Sequence, residues 1–271
     1  MDSYKNKLLA GILLCATVFS GNTSASLLYG TLAIDEGIKA PVEVAPGTFV
    51  DLYQSGSYFV LGDTDPNSNS AAMLVPGSAG GIQLGLFQNF VTDPDEPHPE
   101  GHPDAVNGAG SGYNGLTSQS SVLEPFLFFG IPTYVGTNPV SYQSAAVKEA
   151  PTMDLGPCSN NICTISVDLS AWEVYWNGSV FEQGPRPDNT QPFSLASGSI
   201  DVVSGRYSLN WASQILNGPF NGVIGFWHLE GTLLNPTSVA PVPIPAAVWL
   251  FITGLFTIAG FSNRKSKSAR S

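Results

Sequence analysis

Oxygen-bearing side chains alternate in one short polar segment, and this spacing could bind a calcium ion. The candidate ligands are Asp63, Asp65, Asn67 and Asn69. Calcium is bound by carboxylate and amide oxygens when a loop curls around the ion. The segment departs from an EF-hand loop, because Ser68 stands where that loop needs glycine and Leu74 stands where it needs a bidentate glutamate. These departures favour the alternative, an ordinary polar turn between two strands.

A second segment rich in potential metal ligands contains two histidines. His98 and His102 are four residues apart, a spacing that would align both rings on one side of a helix. Pro97, Pro99 and Pro103 forbid that helix, and an extended chain does not bring the two rings together. The sequence therefore favours a solvated, acidic, proline-rich loop, with weak metal binding as the alternative.

The cysteines suggest one disulfide. Cys15 belongs to an N-terminal targeting segment, which leaves Cys158 and Cys163 on either side of four residues. In an oxidising compartment such a close pair forms a disulfide across a tight turn. A pair of this spacing without further cysteines or a nearby histidine is a poor zinc site. We expect the disulfide, with free thiols as the alternative.

No group of residues indicates a nucleophilic catalyst or a cofactor. The chain has neither a G-x-S-x-G turn nor a phosphate-binding glycine loop. His228 lies in an apolar stretch, where a histidine more often donates a hydrogen bond to a neighbour than acts as a general base. We therefore predict a protein that is not an enzyme and has no cofactor apart from the calcium alternative. A secreted carbohydrate-active hydrolase remains the alternative, because a glycosidase's two carboxylates are adjacent in space rather than in sequence.

Aromatic residues could form a surface on which sugar rings stack. The candidates are the tyrosines together with Trp172, Trp176, Trp211 and Trp227. The same residues would equally fill the core and edges of a β-sandwich, because aromatic side chains dominate burial in strands. The sequence favours this second interpretation.

The charge of the chain is unevenly distributed. The formal net charge is −11, but residues 26–243 contain 20 acidic and four basic residues and so carry −16. The four basic residues are Lys39, Lys148, Arg186 and Arg206. Such an acidic region repels phosphates, so we expect no nucleic-acid partner.

Residues 26–238 predict one all-β domain, a single β-sandwich or jelly-roll-like fold. Short β-branched and aromatic runs alternate with clusters of Gly, Pro, Asn and Ser, and long helical periodicity is absent. Asn177-Gly178 is a strong hairpin signal, Ser204-Gly205 suggests another hairpin, and the last strand should be central because it is the most apolar. The predicted strands are Leu27–Ile34, Thr48–Tyr53, Tyr58–Leu61, Ile82–Phe90, Phe126–Phe129, Ile162–Leu169, Trp172–Trp176, Gly198–Val203, Tyr207–Trp211 and Gly222–Leu233.

The first 25 residues resemble a secretory signal peptide in their layout. Lys5 and Lys7 precede a short apolar run, Leu8 to Phe19, and small residues at 23–25 offer a cleavage site. The prediction implies the Sec translocon and signal peptidase as partners. An uncleaved N-terminal anchor is the alternative.

The last residues predict a single transmembrane helix with a basic tail. No charged residue occurs from Ile244 to Phe261, and a helix of that length spans about 27 Å, close to the hydrocarbon thickness of a bilayer. Pro245 suits the first turn of this helix. The tail at 264–271 contains Arg264, Lys265, Lys267 and Arg270, which the positive-inside rule places in the cytoplasm. A buried core helix is the alternative.

Residues 242–251, Val-Pro-Ile-Pro-Ala-Ala-Val-Trp-Leu-Phe, resemble the VPLPA variant of the PEP-CTERM sorting domain. The motif is followed by the expected helix and basic tail, so the sorting region would cover 239–271. The residues that carry the motif are Val242, Pro243, Ile244, Pro245, Ala246 and Trp249, with Ile244 in place of the usual leucine. The resemblance implies recognition by an exosortase, an integral-membrane cysteine protease. Cleavage near the motif would pass the protein from the inner membrane to the cell surface or an extracellular polysaccharide matrix.

Three internal phrases are similar to ectodomains of uncharacterised members of the same exported group. Residues 168–178 resemble their D-F-S-G-W-x-V-x-W-N-G segment, with Ala171 replacing glycine. Residues 228–232 resemble an L-H-L-E-G-T strand, and residues 126–130 resemble a W-x-F-F-G phrase. The group has no established activity, so the resemblance implies a destination and no chemistry. We expect an exported structural or adhesive protein, associated with polysaccharide; a permanently anchored periplasmic domain is a further alternative.

Overall fold

A computed structural model of the chain describes residues 26–88, 117–118, 121–138, 148–186 and 194–239. These residues belong to one compact unit and form strands, bridges and turns without a helix. Within these ranges, accordingly, no helix has the length and apolar character needed to cross a membrane. The all-β prediction is confirmed for this part of the chain. The predicted signal peptide, proline-rich loop, sorting motif and transmembrane helix lie outside the described residues.

The strands are numbered in chain order. They are β1 (Ser26–Ile34), β2 (Ile38–Ala45), β3 (Thr48–Ser55), β4 (Tyr58–Leu61), β5 (Ala71–Met73), β6 (Gly81–Gln83), β7 (Phe87–Gln88), β8 (Thr117–Ser118), β9 (Phe126–Phe128), β10 (Ile131–Thr137), β11 (Thr152–Ser159), β12 (Ile162–Asp168), β13 (Trp172–Trp176), β14 (Ser179–Glu182), β15 (Ala196–Asp201), β16 (Arg206–Gln214) and β17 (Ile224–Val239).

The larger sheet contains nine strands in the order β5-β4-β17-β16-β15-β12-β11-β1-β6. A further antiparallel pairing between β17 and β1 closes the strands from β17 to β1 into a ring. Strand β17 is flanked on one side by β16 and on the other by β4 and then β1. The prediction that the last strand is central is therefore confirmed.

A smaller sheet packs against the larger one and gives a sandwich-like fold. It has the order β14-β13-β10-β7-β8, with β9 paired to β10. Between the sheets, the Trp172 ring of β13 contacts the rings of Trp211 and Trp227 edge-on, each with a centroid distance of 5.4 Å. All three indoles are buried, as is that of Trp176. The interpretation of these four tryptophans as core residues is confirmed, and the jelly-roll-like variant of the fold stays a prediction.

Left-handed turn residues shape the hairpins. Asn177 and Gly178 have φ of +50° and +75° and join β13 to β14, where Trp176 pairs with Ser179. This is the geometry of a two-residue type I′ turn, which Asn-Gly favours. The hairpin predicted at Asn177-Gly178 is confirmed, and so is the one through Ser204-Gly205 between β15 and β16.

Some strands contradict local propensity. Strands β2, β10 and β11 were not predicted, and each contains a proline: Pro41, Pro132 and Pro157. Proline weakens the sequence signal of a strand, but it is tolerated where no ladder N–H is needed. The strand expected over Ile82–Phe90 is wrong in extent, since a turn at 84–86 separates β6 from β7. The short strands β5 and β8 were also not expected, whereas β14 is the second strand of the hairpin predicted at Asn177-Gly178.

Strands β2 and β3 form a separate two-stranded sheet. We call residues 38–55 the exposed hairpin, because residues 41–51 are all exposed to solvent. Val42 pairs with Val50, and Ala40 pairs with Leu52, so these four apolar side chains lie on one face of the hairpin.

Candidate functional site

The proposed calcium ligands lie in the exposed turn between β4 and β5. Asp63 Oδ1 accepts hydrogen bonds from the backbone N–H groups of Thr64 and Asp65, at 2.6 and 3.2 Å. Asp65 Oδ1 accepts from Asn67 N at 2.9 Å, and Asn67 Oδ1 accepts from Tyr53 N at 2.7 Å. These oxygens organise the turn itself, as Asx side chains commonly do. The described residues hold no group of three or more acidic, histidine or cysteine side chains placed to bind a metal, and the calcium site at 63–69 stays a prediction.

The disulfide between Cys158 and Cys163 is present. The two residues pair across β11 and β12, with a Cα–Cα distance of 3.9 Å. Asn160 and Asn161 form the intervening turn with φ of +49° and +68°. The bond thus closes the hairpin of β11 and β12 next to its turn.

Two glutamates form a close carboxylate pair, but they are sealed in the protein. Glu173 of β13 and Glu182 of β14 lie opposite each other, with exposures of 0% and 2%. Lys148 Nζ lies 3.4 Å from Glu173 Oε1 and 3.2 Å from Glu182 Oε1. Arg186 Nη1 lies 3.5 Å from Glu182 Oε2. We call these four residues the buried ion cluster.

The charges of the buried ion cluster are paired with one another away from solvent. Buried charges must be paired, because an isolated charge loses its hydration without compensation. Burial lowers the pKa of Arg186, and the neighbouring Glu182 carboxylate opposes that shift. A glycosidase needs its carboxylates on either side of a bound sugar, whereas Glu173 and Glu182 are closed off from solvent. The cluster therefore gives no support to the hydrolase alternative.

The outer face of the larger sheet carries a line of polar side chains, which we call the polar row. Neighbouring strands pair His228 with Asn210, Asn210 with Ser197, Ser197 with Ser166, and Ser166 with Asp154. Tyr58 of β4 pairs with His228 and begins the row. At about 4.8 Å between strands, the row extends over about 24 Å. A parallel line contains Glu230, Ser208, Ser199 and Thr164.

The polar row ends at a half-buried cluster of aromatic and polar groups. The ring of Tyr58 stacks on His228 with a centroid distance of 4.9 Å, and Tyr53 contacts Tyr58 edge-on at 5.1 Å. His228 Nδ1 lies 2.6 Å from Asn210 Oδ1, and Nε2 lies 3.2 Å from Glu230 Oε1. Since an amide oxygen only accepts, His228 Nδ1 donates that bond. His228 donates to a neighbour as expected, but from the outer face of β17.

The same cluster fixes the base of the exposed hairpin. Burial, with a contribution from Glu230, raises the pKa of Tyr53 to about 12. Burial also raises the pKa of Tyr58, so both phenols stay protonated donors near neutral pH. The Tyr53 hydroxyl donates to Gly56 O at 2.8 Å, and Glu230 Oε2 accepts from Gly56 N at 3.1 Å. These bonds hold the end of β3 against β17.

A small aromatic cleft, with a cavity volume of about 30 Å³, opens between the two sheets. Its lining residues are Phe59, Phe126, Phe128, Thr133, Val174, Trp176, Phe181, Gln183, Ile215, Phe220 and Trp227. At the edge of the cleft, Phe220 stacks on the exposed ring of Phe129 at 5.4 Å. Phe129 has φ of +49°, a left-handed conformation that is costly for a bulky residue. The two polar residues that line the cleft form hydrogen bonds with the backbone. Thr133 donates to Ile131 O, and Gln183 donates to Glu182 O.

The chain matches no known protein family, no curated protein and no solved structure. Sequence reasoning missed the polar row and the buried ion cluster, because both depend on which strands pair and in which register. The scarcity of lysine and arginine in residues 26–243 was the one available signal for the cluster, since two of the four basic residues belong to it.

Proposed function

We propose that the chain is the precursor of an exported surface or extracellular-matrix protein with a non-catalytic, structural or adhesive role. Its β domain would associate with extracellular polysaccharide through the polar row. The single observation that carries the ligand class is the composition of this row. Hydroxyl and amide groups from successive strands face outward along a line about as long as several sugar rings, and a tyrosine stacked on a histidine lies at one end.

The polar row suits a neutral, hydroxyl-rich chain. Serine and asparagine side chains both donate and accept hydrogen bonds, as sugar hydroxyls do. Lys39, Lys148, Arg186 and Arg206 do not lie on the row, so acidic polysaccharides would meet no basic partner there. The ligand we infer is therefore an uncharged polysaccharide.

The route to the surface is part of the same proposal. A signal peptide over 1–25 would direct export, and a helix at about 244–261 would hold the intermediate in the inner membrane. An exosortase would then cut near residues 242–246. The disulfide of Cys158 and Cys163 supports an oxidising destination, and the basic residues at both ends support the targeting roles.

Polysaccharide binding is tested with a glycan array and affinity electrophoresis. Ser197→Lys places a long charged side chain in the middle of the polar row at an exposed position, and we expect at least about a tenfold loss of affinity, the cost of one lost contact region. Val203→Lys is the matched control, because Val203 is exposed on the turn after β15 and lies off the row. Equal binding by both variants would contradict the assignment of the row. Glycan hydrolysis that a single Asp or Glu substitution abolishes, without unfolding the β domain, would instead support the hydrolase.

Sorting is tested by mass spectrometry of the secreted fraction and of the inner membrane. We expect mature chains that begin near residue 26 and end near the motif at 242–246. Recovery of only full-length chain in the inner membrane, with residues 245–271 intact, would defeat the sorting proposal.

A further inference from the structure

The exposed hairpin has the features of an incomplete sheet. A two-stranded hairpin is marginal in water, and three or more strands are normally needed for independent stability. Strands β2 and β3 pair only with each other among the described residues. Phe49 and Val50 are 61% and 45% exposed. The polar cluster at Tyr53 and Gly56 nevertheless holds the hairpin in a fixed position.

The backbone directions along β3 follow from one hydrogen bond. Tyr53 N donates to Asn67 Oδ1, a residue outside the hairpin, so this N–H points away from β2. Backbone groups alternate in direction along an antiparallel strand. The N–H and C=O groups of Asp51 and Phe49 therefore also point to the free edge of β3. Those of Val50 and Leu52 point toward β2.

The two free edges of the hairpin differ. Pro41 pairs with Asp51, so its nitrogen faces the free edge of β2, where it has no hydrogen to donate. Proline at such a position is a common protection of an edge strand against pairing with another chain. Strand β3 has no proline, and Asn67 covers only its Tyr53 end. Among the described residues, one edge of the hairpin is thus blocked, and the other is open at Phe49 and Asp51.

We propose that the open edge of β3 pairs antiparallel with the same edge of a second copy of this chain, about a two-fold axis at Val50. In this register Phe49 of each copy lies opposite Asp51 of the other. Such a pair exchanges an N–H···O bond in both directions, which satisfies the groups left free in the single chain. The result is a four-stranded sheet in the order β2-β3-β3-β2.

The side chains agree with this register. Asp51 is the only charged residue of β3, and the axis at Val50 places it beside Phe49 of the second copy rather than beside the other Asp51. Lys39 and Glu43 lie on the same face as Asp51 of their own hairpin, and Phe49 would separate Glu43 from Asp51 of the second copy. On the opposite face, Val42 and Val50 of the two copies join into one apolar surface. The proposal does not depend on polysaccharide binding.

Disulfide trapping tests the register directly. Val50 of the two copies would form a non-hydrogen-bonded pair with Cα atoms about 4.5 Å apart, within the range that a disulfide bridges. The full-length Val50→Cys chain, oxidised with copper-phenanthroline in membranes, should migrate largely as a dimer on non-reducing gels. Val42→Cys is the matched control, because Val42 lies on the same face but on the strand that Pro41 blocks. It should stay a monomer under the same conditions.

Two further variants in the Val50→Cys chain test the backbone pairing. Asp51→Pro removes an N–H that points to the free edge, and it removes no hydrogen bond to β2. Because each copy then loses one hydrogen bond to the other, we expect the dimer yield to fall at least about fivefold. Asp51→Asn keeps that N–H and should keep the yield. Equal dimer formation by Val42→Cys and Val50→Cys would overturn the proposal. An absence of dimer in Val50→Cys would overturn it as well, and would mean that any partner of this edge is a different protein. An unchanged yield with Asp51→Pro would also overturn it.

Discussion

The buried ion cluster and the Tyr58–His228 end of the polar row both gather charged and polar side chains on neighbouring strands, but water reaches only one of them. Glu173, Glu182, Lys148 and Arg186 are almost fully buried. At the end of the row, the side chains of His228 and Glu230 are 14% and 30% exposed. From this difference we expect burial, more than the number of contacts, to determine what each group contributes to stability. A buried ion has no water to replace a lost partner, whereas a half-exposed one does.

The largest effect is expected from Lys148→Met. Lys148 lies between the two glutamates, and its loss would remove the cation that contacts both buried carboxylates. The free energy of unfolding should fall by about 3–5 kcal/mol, the usual cost of removing one partner from a buried pair. Chemical denaturation of the β domain measures it.

Lys39→Met is the control for this substitution, since Lys39 lies on the exposed hairpin. It should change the free energy of unfolding by less than about 0.5 kcal/mol, as most surface substitutions do. A loss below about 1 kcal/mol for Lys148→Met would show that water enters the cluster and would remove the contrast between the two regions.

A smaller effect is expected from His228→Ala. The substitution removes the stacking on Tyr58 and the hydrogen bond to Asn210. Because Asn210 and Glu230 can then bind water, the loss of unfolding free energy should be about 1.5 kcal/mol, the sum of one modest hydrogen bond and one ring contact. His228→Phe keeps the ring and should lose about half as much. A loss as large as that of Lys148→Met would mean that this end of the row behaves as buried.

How far each region could be predicted depends on the sequence distance of its contacts. The alternation of Trp172–Trp176 and the turn at Asn177-Gly178 indicate a hairpin that the structure confirms, because all the relevant contacts are local. Lys148 is 25 residues from Glu173 along the chain, and no local pattern connects them. Alternation alone places Glu173 on a solvent face, but the fold covers that face. The polar row depends on the register of β4, β17, β16, β15, β12 and β11, which hydrophobic pattern alone does not specify.

The pH dependence of stability provides the next test of the half-exposed region. The pKa of Tyr53 rises from 10.0 to about 12 in the folded chain, mainly through burial. A raised pKa in the folded state means that the stabilisation is complete below the unfolded value and is lost as the pH rises through the window from 10 to 12. After allowance for partial exposure, the loss should be about 1 kcal/mol. Thermal denaturation between pH 9 and 12 measures it.

Tyr53→Phe is the control for the pH experiment, because it keeps the ring contact with Tyr58 and removes the ionisable group. Its stability should fall less steeply over the same window. A profile identical to that of the unchanged chain would assign the loss to other groups, such as Tyr58, whose pKa is also raised by burial.

The smallest effect is expected at the ion pair of Arg206 and Asp35, which is more exposed than either of the two regions compared above. The two side chains are 52% and 39% exposed, and they connect the start of β16 to the end of β1. Asp35→Asn should lower the free energy of unfolding by about 0.5 kcal/mol, and the difference should shrink in about 1 M salt, because salt screens exposed charges. The difference caused by Lys148→Met should persist at the same salt concentration, since a buried pair is screened much less. If both differences shrank alike, solvent access would not distinguish the two regions, and the rule that burial determines the contribution of each charge would fail for this protein.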